Sequence, residues 1–388
     1  MTSLRNSLRL FTIALRKEWR DVATAPASLL VIVGGVVLYG VLYNLLYRPN
    51  VVRKAPVVVV DESASHLSRH FTELLSASSG AEVVARVESE QEGRAMLSDG
   101  KAVAIVYLPH DMETRVGRGE ESIFVALATT ATFLYYEAAA GAIMDSMLAL
   151  DDNFRREMIW TLPDELSLAL ANRESVEVVG NALFNPSKGY ADYLIPVVLI
   201  IIIFQTMVMV ESMNSGARRA KGITPLRGTT LGWGSRVAVT LARSAFYCLL
   251  YGVMSLFLVG LLPRIFNLPH LASLGELVVL MTPFLLATSL FGQAFGRLFT
   301  DRDSPLLLIT FFSVGLIFLS GISYPLELLP RGWRLAHYLF PAAPATLAFV
   351  ELGSMGSSIA DIAPQVGVLW AQTAVYLLLA TLPSRGFR

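Results

Sequence analysis

Six stretches of this chain are apolar enough, and long enough, to cross a bilayer. They run about 27–47, 191–211, 237–262, 271–299, 304–324 and 362–382. A helix needs about 20 predominantly apolar residues for that. The second contains Val197–Phe204, eight apolar residues in a row. Composition agrees: 16% of residues are charged, against about 25% in an ordinary soluble domain. The first stretch is too long for the core of a cleaved signal sequence, and no small-residue cleavage site follows Tyr47-Arg48-Pro49. It reads as an uncleaved anchor.

Basic residues orient the spans. Arg5, Arg9, Arg16, Lys17 and Arg20 precede the first span. Arg218, Arg219, Lys221, Arg227 and Arg236 crowd the loop 212–236, which holds no acid. Arg297 and Arg302 flank the fourth-to-fifth turn, and Arg385 and Arg388 end the chain. An even number of spans puts all four groups on one side, the cytoplasm. Arg48, Arg53 and Lys54 then lie outside, at the start of a long segment of the kind that translocates largely regardless of charge.

That segment, 48–190, carries 21 acidic and 13 basic side chains, while the whole chain is neutral. The remaining positive charge sits beside apolar segments, which argues against a nucleic-acid-binding face. Strands are predicted at 56–61, 81–87, 102–107 and 122–129, alternating with helices at 64–77, 89–99 and 109–117 and a longer one at 131–160. Val57–Val60 suits a strand buried on both faces, hence a sheet covered by helices. The predicted fold is an α-helical integral membrane protein with six transmembrane helices, plus an α/β extracytoplasmic domain inserted between the first and second spans.

The catalytic vocabulary is thin. The lysines are Lys17, Lys54, Lys101, Lys188 and Lys221, and none completes a Walker A loop. H-E-x-x-H and G-x-S-x-G are absent too. The single cysteine, Cys248, excludes an internal disulfide framework. His66 and His70 stand four apart, with Asp61, Glu62 and Glu73 nearby. The spacing could serve a metal, but two solvent-facing histidines on one helix is the plainer reading. Asp192, Glu211, Arg243, Glu276 and Arg297 all fall within about two turns of an expected helix end, where long side chains can snorkel. No charge is expected near a midplane, which disfavours a proton-coupled transporter. The neutral polar residues Asn44, Gln205, Gln293 and Gln372 are candidates for lining a transport path, or for simple bonds between helices.

Two further segments are informative. In residues 1–25, Leu4, Leu8, Phe11, Leu15 and Trp19 form an apolar stripe with Arg5, Arg9, Arg16, Lys17 and Glu18 off it. Such a helix lies in the interface plane, as an anchor or as a docking surface. Segment 325–361 is too interrupted to span: Pro325, Pro330, Pro341 and Pro344 break it, with interfacial Trp333, Arg334, His337 and Tyr338 between. It reads as two short half-inserted helices on the outer side, an exit gate or a capping loop in equal measure.

Together these pieces resemble the permease subunit of type-2 ABC exporters, and more narrowly the bacterial efflux branch with a large periplasmic domain between the first two spans. Val57–Phe71, VVVVDESASHLSRHF, is similar to the family's opening strand, Asp and S-x-x-S-R. Val103–Glu113, VAIVYLPHDME, looks like its next strand and a Pro-led helix start. Phe184-Asn185-Pro186 before YADYLIPVV at Tyr190–Val198 resembles the approach to the second span. SGISYPLELLP at Ser320–Pro330, with Pro341 and Pro344 after it, looks like the re-entrant hairpin between the last two spans. The cytoplasmic loop departs from the pattern. The family usually has E-R-E-x-G-T-x-E-x-L there; here Glu211–Gly222 matches at most the first acid.

The resemblance implies that two permeases, this chain and a second copy or a paralogue, surround a central path in the bacterial inner membrane. Both termini would be cytoplasmic and 48–190 periplasmic. A cytoplasmic ABC ATPase subunit would dock through the N-terminal helix and the 212–236 loop, with Arg16, Lys17, Glu18, Glu211, Arg218 and Arg219 the docking candidates. ATP and Mg would belong to that subunit, and this chain would hold no cofactor. The branch brings with it, as candidate partners, a periplasmic adaptor and an outer-membrane channel, with membrane lipid around the spans. A reading from another class stays open: a membrane receptor or assembly scaffold whose outer domain binds a ligand or envelope partner. An enzyme is disfavoured, because no nucleophile–base or metal constellation stands out.

Overall fold

The computed structural model describes residues 2–118, 120, 122–161, 185, 189–220, 232–268 and 270–382. The expectations for 221–231, for Phe184 and Pro186 and for Arg385 and Arg388 lie outside those residues. Two compact units emerge, one of residues 1–50 with 182–388 and one of 51–181.

The smaller unit is built on a four-stranded sheet of order β2-β1-β3-β4. Its strands are β1 Ala55–Asp61, β2 Ala81–Val87, β3 Ala104–Leu108 and β4 Val125–Ala128. The first three run parallel, and β4 pairs antiparallel with β3 at one edge. Helix α3 (His66–Ala77) carries β1 outward to β2, and α4 (Glu90–Ser98) carries the chain back across β1 to β3. Right-handed crossovers in opposite directions must leave their helices on opposite faces. Alternation along β1 follows. Val57 and Val59 pack with Phe71 and Leu75 of α3, while Val58 and Val60 pack on the other face, where Met96 and Leu97 of α4 close over them. Helix α5 (Met112–Gly117) and the long α6 (Phe133–Thr161) complete the unit, α6 lying on the α3 face.

The larger unit is helical. Helix α1 (Thr2–Ala23) is followed by α2 (Pro26–Leu46), whose turns at Leu30–Leu38 have π geometry. Then come α7 (Tyr190–Ala220), α8 (Trp233–Ile265), α9 (Leu274–Leu298), α10 (Ser304–Leu319), α11 (Arg331–His337), α12 (Ala342–Gly353) and α13 (Ala363–Thr381). Five of these, α2, α7, α8, α9 and α13, are long and apolar enough to cross a membrane; the bent pair α11–α12 would make a sixth if counted as one span.

Helix α7 is the axle. A helix apolar on every side is satisfied only when surrounded, and Val197–Phe204 is buried throughout. It packs against α2, α9, α10 and α12. It also runs nine residues beyond the expected end at 211, so residues 212–220 are helix rather than loop. Helix α10 is shorter than the expected 304–324. It stops at Leu319 because Gly321 turns the chain with φ +84, a conformation that suits glycine.

The segment after α10 is broken as its prolines dictate, and α11 and α12 meet at 76°. Much of this segment is exposed, but three of its carbonyls are held by side chains of neighbouring helices, as non-helical backbone requires of its polar groups. Tyr193 donates to the Ile322 carbonyl, Gln372 to Tyr338 at 2.7 Å and Tyr376 to Leu339.

Candidate functional site

The larger unit buries a connected set of charged and polar side chains where α1, α2, α7 and α8 converge. Glu18, on the inner face of α1, is 1% exposed. Its Oε1 accepts from Arg218 Nη1 of α7 at 2.7 Å and lies 2.9 Å from Arg243 Nε of α8. Asp21, one turn further along α1, adds a second carboxylate to Arg218 at 3.3 Å. Tyr247 Oη donates to Glu18 Oε2 at 3.4 Å and accepts from Asn214 Nδ2 at 3.1 Å. Ser28 Oγ at the head of α2 donates to Asn214 Oδ1 at 3.0 Å and accepts from Arg302 Nη2 at 3.1 Å. Burial alone would raise the Glu18 carboxyl. The two guanidiniums instead hold it below the ordinary carboxylate range.

One turn along α7 lies a second polar cluster. Ser289 Oγ donates to Glu211 Oε1 at 2.6 Å. Gln293 Nε2 donates to Ser244 Oγ at 2.9 Å, and Ser244 and Ser289 are 3.1 Å apart. Glu211 Oε2 has no hydrogen-bond partner among the described residues. It presses on Gly292, where a Cβ would come within 2.6 Å of it. The close fit of α9 against α7 depends on that missing side chain.

Several sequence expectations change here. Glu18, Glu211 and Arg218 are buried, so these side chains are not offered to a docking partner. Arg243 is not snorkelled to water either: its guanidinium turns inward to Glu18. Arg219 is half-buried and donates to the carbonyls of Arg297 and Phe299. Arg297 in turn donates to the carbonyls of Leu379, Ala380 and Leu382, capping the end of α13. Arg16 is exposed and Lys17 half-exposed. Phe11 and Leu15 face inward, but Trp19 is 67% exposed, its ring edge on Phe246. The inward stripe of α1 is therefore half-buried Phe11 and Leu15 with buried Glu18 and Val22, a carboxylate at an apolar position. That spacing was the signal for the site.

The four path candidates do not meet. Asn44 Nδ2 donates to Gly40 within its own helix, Gln293 joins the cluster above, Gln372 holds the hairpin, and Gln205 is half-buried on α7. No hydrogen bond joins any two of them. Among the gate prolines, Pro341 and Pro344 are buried at the start of α12, while Pro325 and Pro330 are exposed. In the smaller unit, His70 approaches Glu73 at 3.8 Å and Asn153 at 3.4 Å. His66 is exposed, and among the described residues no three His, Cys, Asp or Glu side chains form a metal site.

A bundle of apolar spans with a surface helix clamped to it by buried ion pairs is the architecture of a multi-pass membrane protein. The family model described as ABC-2 family transporter protein matches residues 26–382, and the chain belongs to that family. It is an ABC transporter permease, a transport subunit that carries no nucleotide-binding motif of its own, and membership implies an ABC ATPase partner. No curated protein matches the chain.

Proposed function

We propose that this permease belongs to an exporter that moves an amphiphilic substrate outward across the bacterial inner membrane, driven by ATP and Mg bound in a separate subunit. The observation that carries the reading is the Glu18–Arg218–Arg243 tie. It fastens α1 to two spans at once, so a force applied to α1 moves α7 and α8 rather than bending α1 away. Coupling of this kind needs packed elements with two discrete arrangements. The ATPase docks on the outward basic face of α1, through Arg16 and Lys17, and on the loop beyond α7. A second copy or a paralogue completes the path. Both termini are cytoplasmic and 48–190 is periplasmic, in reach of an adaptor and an outer-membrane channel. The buried prolines Pro341 and Pro344 at the α11–α12 bend form the moving part of the outer gate.

Purification of the tagged chain from its native membrane in mild detergent tests this directly. A stoichiometric nucleotide-binding subunit, with vanadate-sensitive ATP hydrolysis and ATP-dependent transport after reconstitution, is the expected result. An intact chain that never retains an ATPase, but binds an envelope component through 51–181, would replace this reading with that of a receptor or scaffold.

A further inference from the structure

Between the end of α8 and the start of α9 lies an open cleft of about 210 Å³. The chain at Leu256–Leu261 winds in wide π turns, a geometry that recurs at functional sites. Leu277, 4% exposed, forms its floor, and Leu261 and Leu274, each half or more exposed, form its walls. Gly260 faces open space: a Cβ there would meet nothing within 4 Å. Arg264 and His270 stand at its rim.

The rim carries one unbalanced cation, Arg264, with His270 beside it as a neutral hydrogen-bonding ring. Neither Arg264 nor His270 has a hydrogen-bond or ion-pair partner among the described residues. Residues 262–275 contain no acid. The next carboxylate, Glu276 on α9, is spent on the Ser273 N–H and hydroxyl in a capping box. Burial and the neighbouring Arg264 hold His270 below the ordinary histidine range, so the two groups share one local field. An arginine at the end of a span, beside an apolar cleft with exposed leucine walls, matches an amphiphile with one anionic head. Under the orientation proposed above, Arg264 also sits on the side that the distribution of basic residues normally avoids. A local partner for its charge accounts for that.

We propose that this cleft binds an anionic phospholipid, its phosphate held by Arg264 and His270 and an acyl chain laid against Leu261, Leu274 and Leu277. The site depends on the chain's being in a membrane and not on the direction of transport, so its failure leaves the exporter reading untouched.

Native mass spectrometry of the full chain, delipidated in detergent and titrated with phosphatidylglycerol or phosphatidylcholine, tests it. Wild type is expected to hold one phosphatidylglycerol in preference to phosphatidylcholine. The double variant Arg264→Ala, His270→Ala is expected to weaken that adduct about tenfold and to erase the preference. Gly260→Leu, which fills the cleft and keeps Arg264 and His270, is expected to weaken both lipids alike. Arg264→Lys should restore part of the preference, and water-soluble glycerophosphate should not compete. The melting temperature of each variant in detergent checks that it is folded. Folded double variants that keep wild-type phosphatidylglycerol adducts, or a wild type that binds both lipids equally, would overturn the proposal.

Discussion

Removing the Glu18 carboxylate leaves two guanidiniums, Arg218 and Arg243, buried, and among the described residues Asp21 is the one carboxylate left in ion-pair range, of Arg218 alone. Breaking a buried pair in this way costs about 3–5 kcal/mol, whereas replacing both partners by apolar groups of similar size is often neutral. Glu18→Gln is therefore expected to loosen α1, read as faster proteolysis near residue 20 and a lower melting temperature, and to abolish ATP-dependent transport. Glu18→Leu with Arg218→Met and Arg243→Met should recover the stability, since no buried guanidinium is then left unpaired. Equal protease resistance in wild type and Glu18→Gln would contradict the clamp. Arg16→Glu with Lys17→Glu acts differently: both side chains point away from the clamp, so folding should hold while the ATPase is lost in pull-downs. In the smaller unit, Asp61 is 3% exposed and accepts from the N–H groups of Ser63 and Ala64, from Ser68 Oγ at 2.8 Å and from Arg86. Burial raises its pKa, and these donors more than reverse that, so the folded value lies below the unfolded one. Its stabilisation is complete above the unfolded value, about 4, and disappears as pH falls through the folded value. Amide protection in β1, corrected for the intrinsic exchange rate, should thus fall on acidification more in wild type than in Asp61→Asn; identical pH dependence would remove Asp61 from that role. The site itself was half-legible. Glu18 at the spacing of Phe11, Leu15 and Val22 was readable as an inward carboxylate, but Trp19 offered a larger apolar side chain one position away. Nothing local to Arg218 or Arg243 says that they meet it across about 200 residues.

Elements were easier to read than their ends. The strands and helices of 51–161 fall within a few residues of their predicted limits, because period-two and period-3.6 patterns survive wherever one face is buried. The spans were visible for the simpler reason that twenty apolar residues have few alternatives. What composition could not tell was which apolar helix is enclosed: α7 and α10 look alike in sequence, yet α7 is enclosed, while α10, too short to count among the spans, exposes Phe311 and Val314. Nor could it tell where α7 stops, since that depends on a partner. Gly216 lets the Asp301 carbonyl approach so closely that a Cβ would sit 1.8 Å from it. Gly216→Ala must push the 299–303 turn away from α7, and a loss of several degrees in detergent melting temperature is expected, in keeping with an overpacking cost of about 1–3 kcal/mol. An unchanged melt would mean that the turn is not held there. At the other end of the bundle, Pro341 and Pro344 set the entry to α12. Replacing both by alanine is expected to change the rate of substrate exit while leaving the chain folded, and wild-type transport by that variant would reduce the bend to a passive cap.

For the molecule as a whole, the division into two units makes a prediction of its own. Replacing residues 53–184 by a short Gly/Ser linker should leave a membrane-inserted bundle that elutes as a single species and melts cooperatively. Aggregation of that product would show that the bundle needs its insert in order to fold. The reason to expect success is a small piece of geometry. Asn50, the last residue of the first half of the bundle, accepts from Tyr190 N–H on its carbonyl and from Ala191 N–H on its side chain, both at 2.8 Å, and donates to Asp192 at 2.7 Å. The positions Asn50 and Ala191 are 141 apart in sequence. The chain thus leaves the bundle and rejoins it through one latch, closed by groups that belong to the bundle alone. The entropy of closing such an excursion grows only with the logarithm of its length, and doubling the length adds about 0.6 kcal/mol. A latch that is nearly indifferent to what hangs beyond it frees the insert to lengthen, shrink or be exchanged over evolutionary time, while the packing of the spans stays as it is.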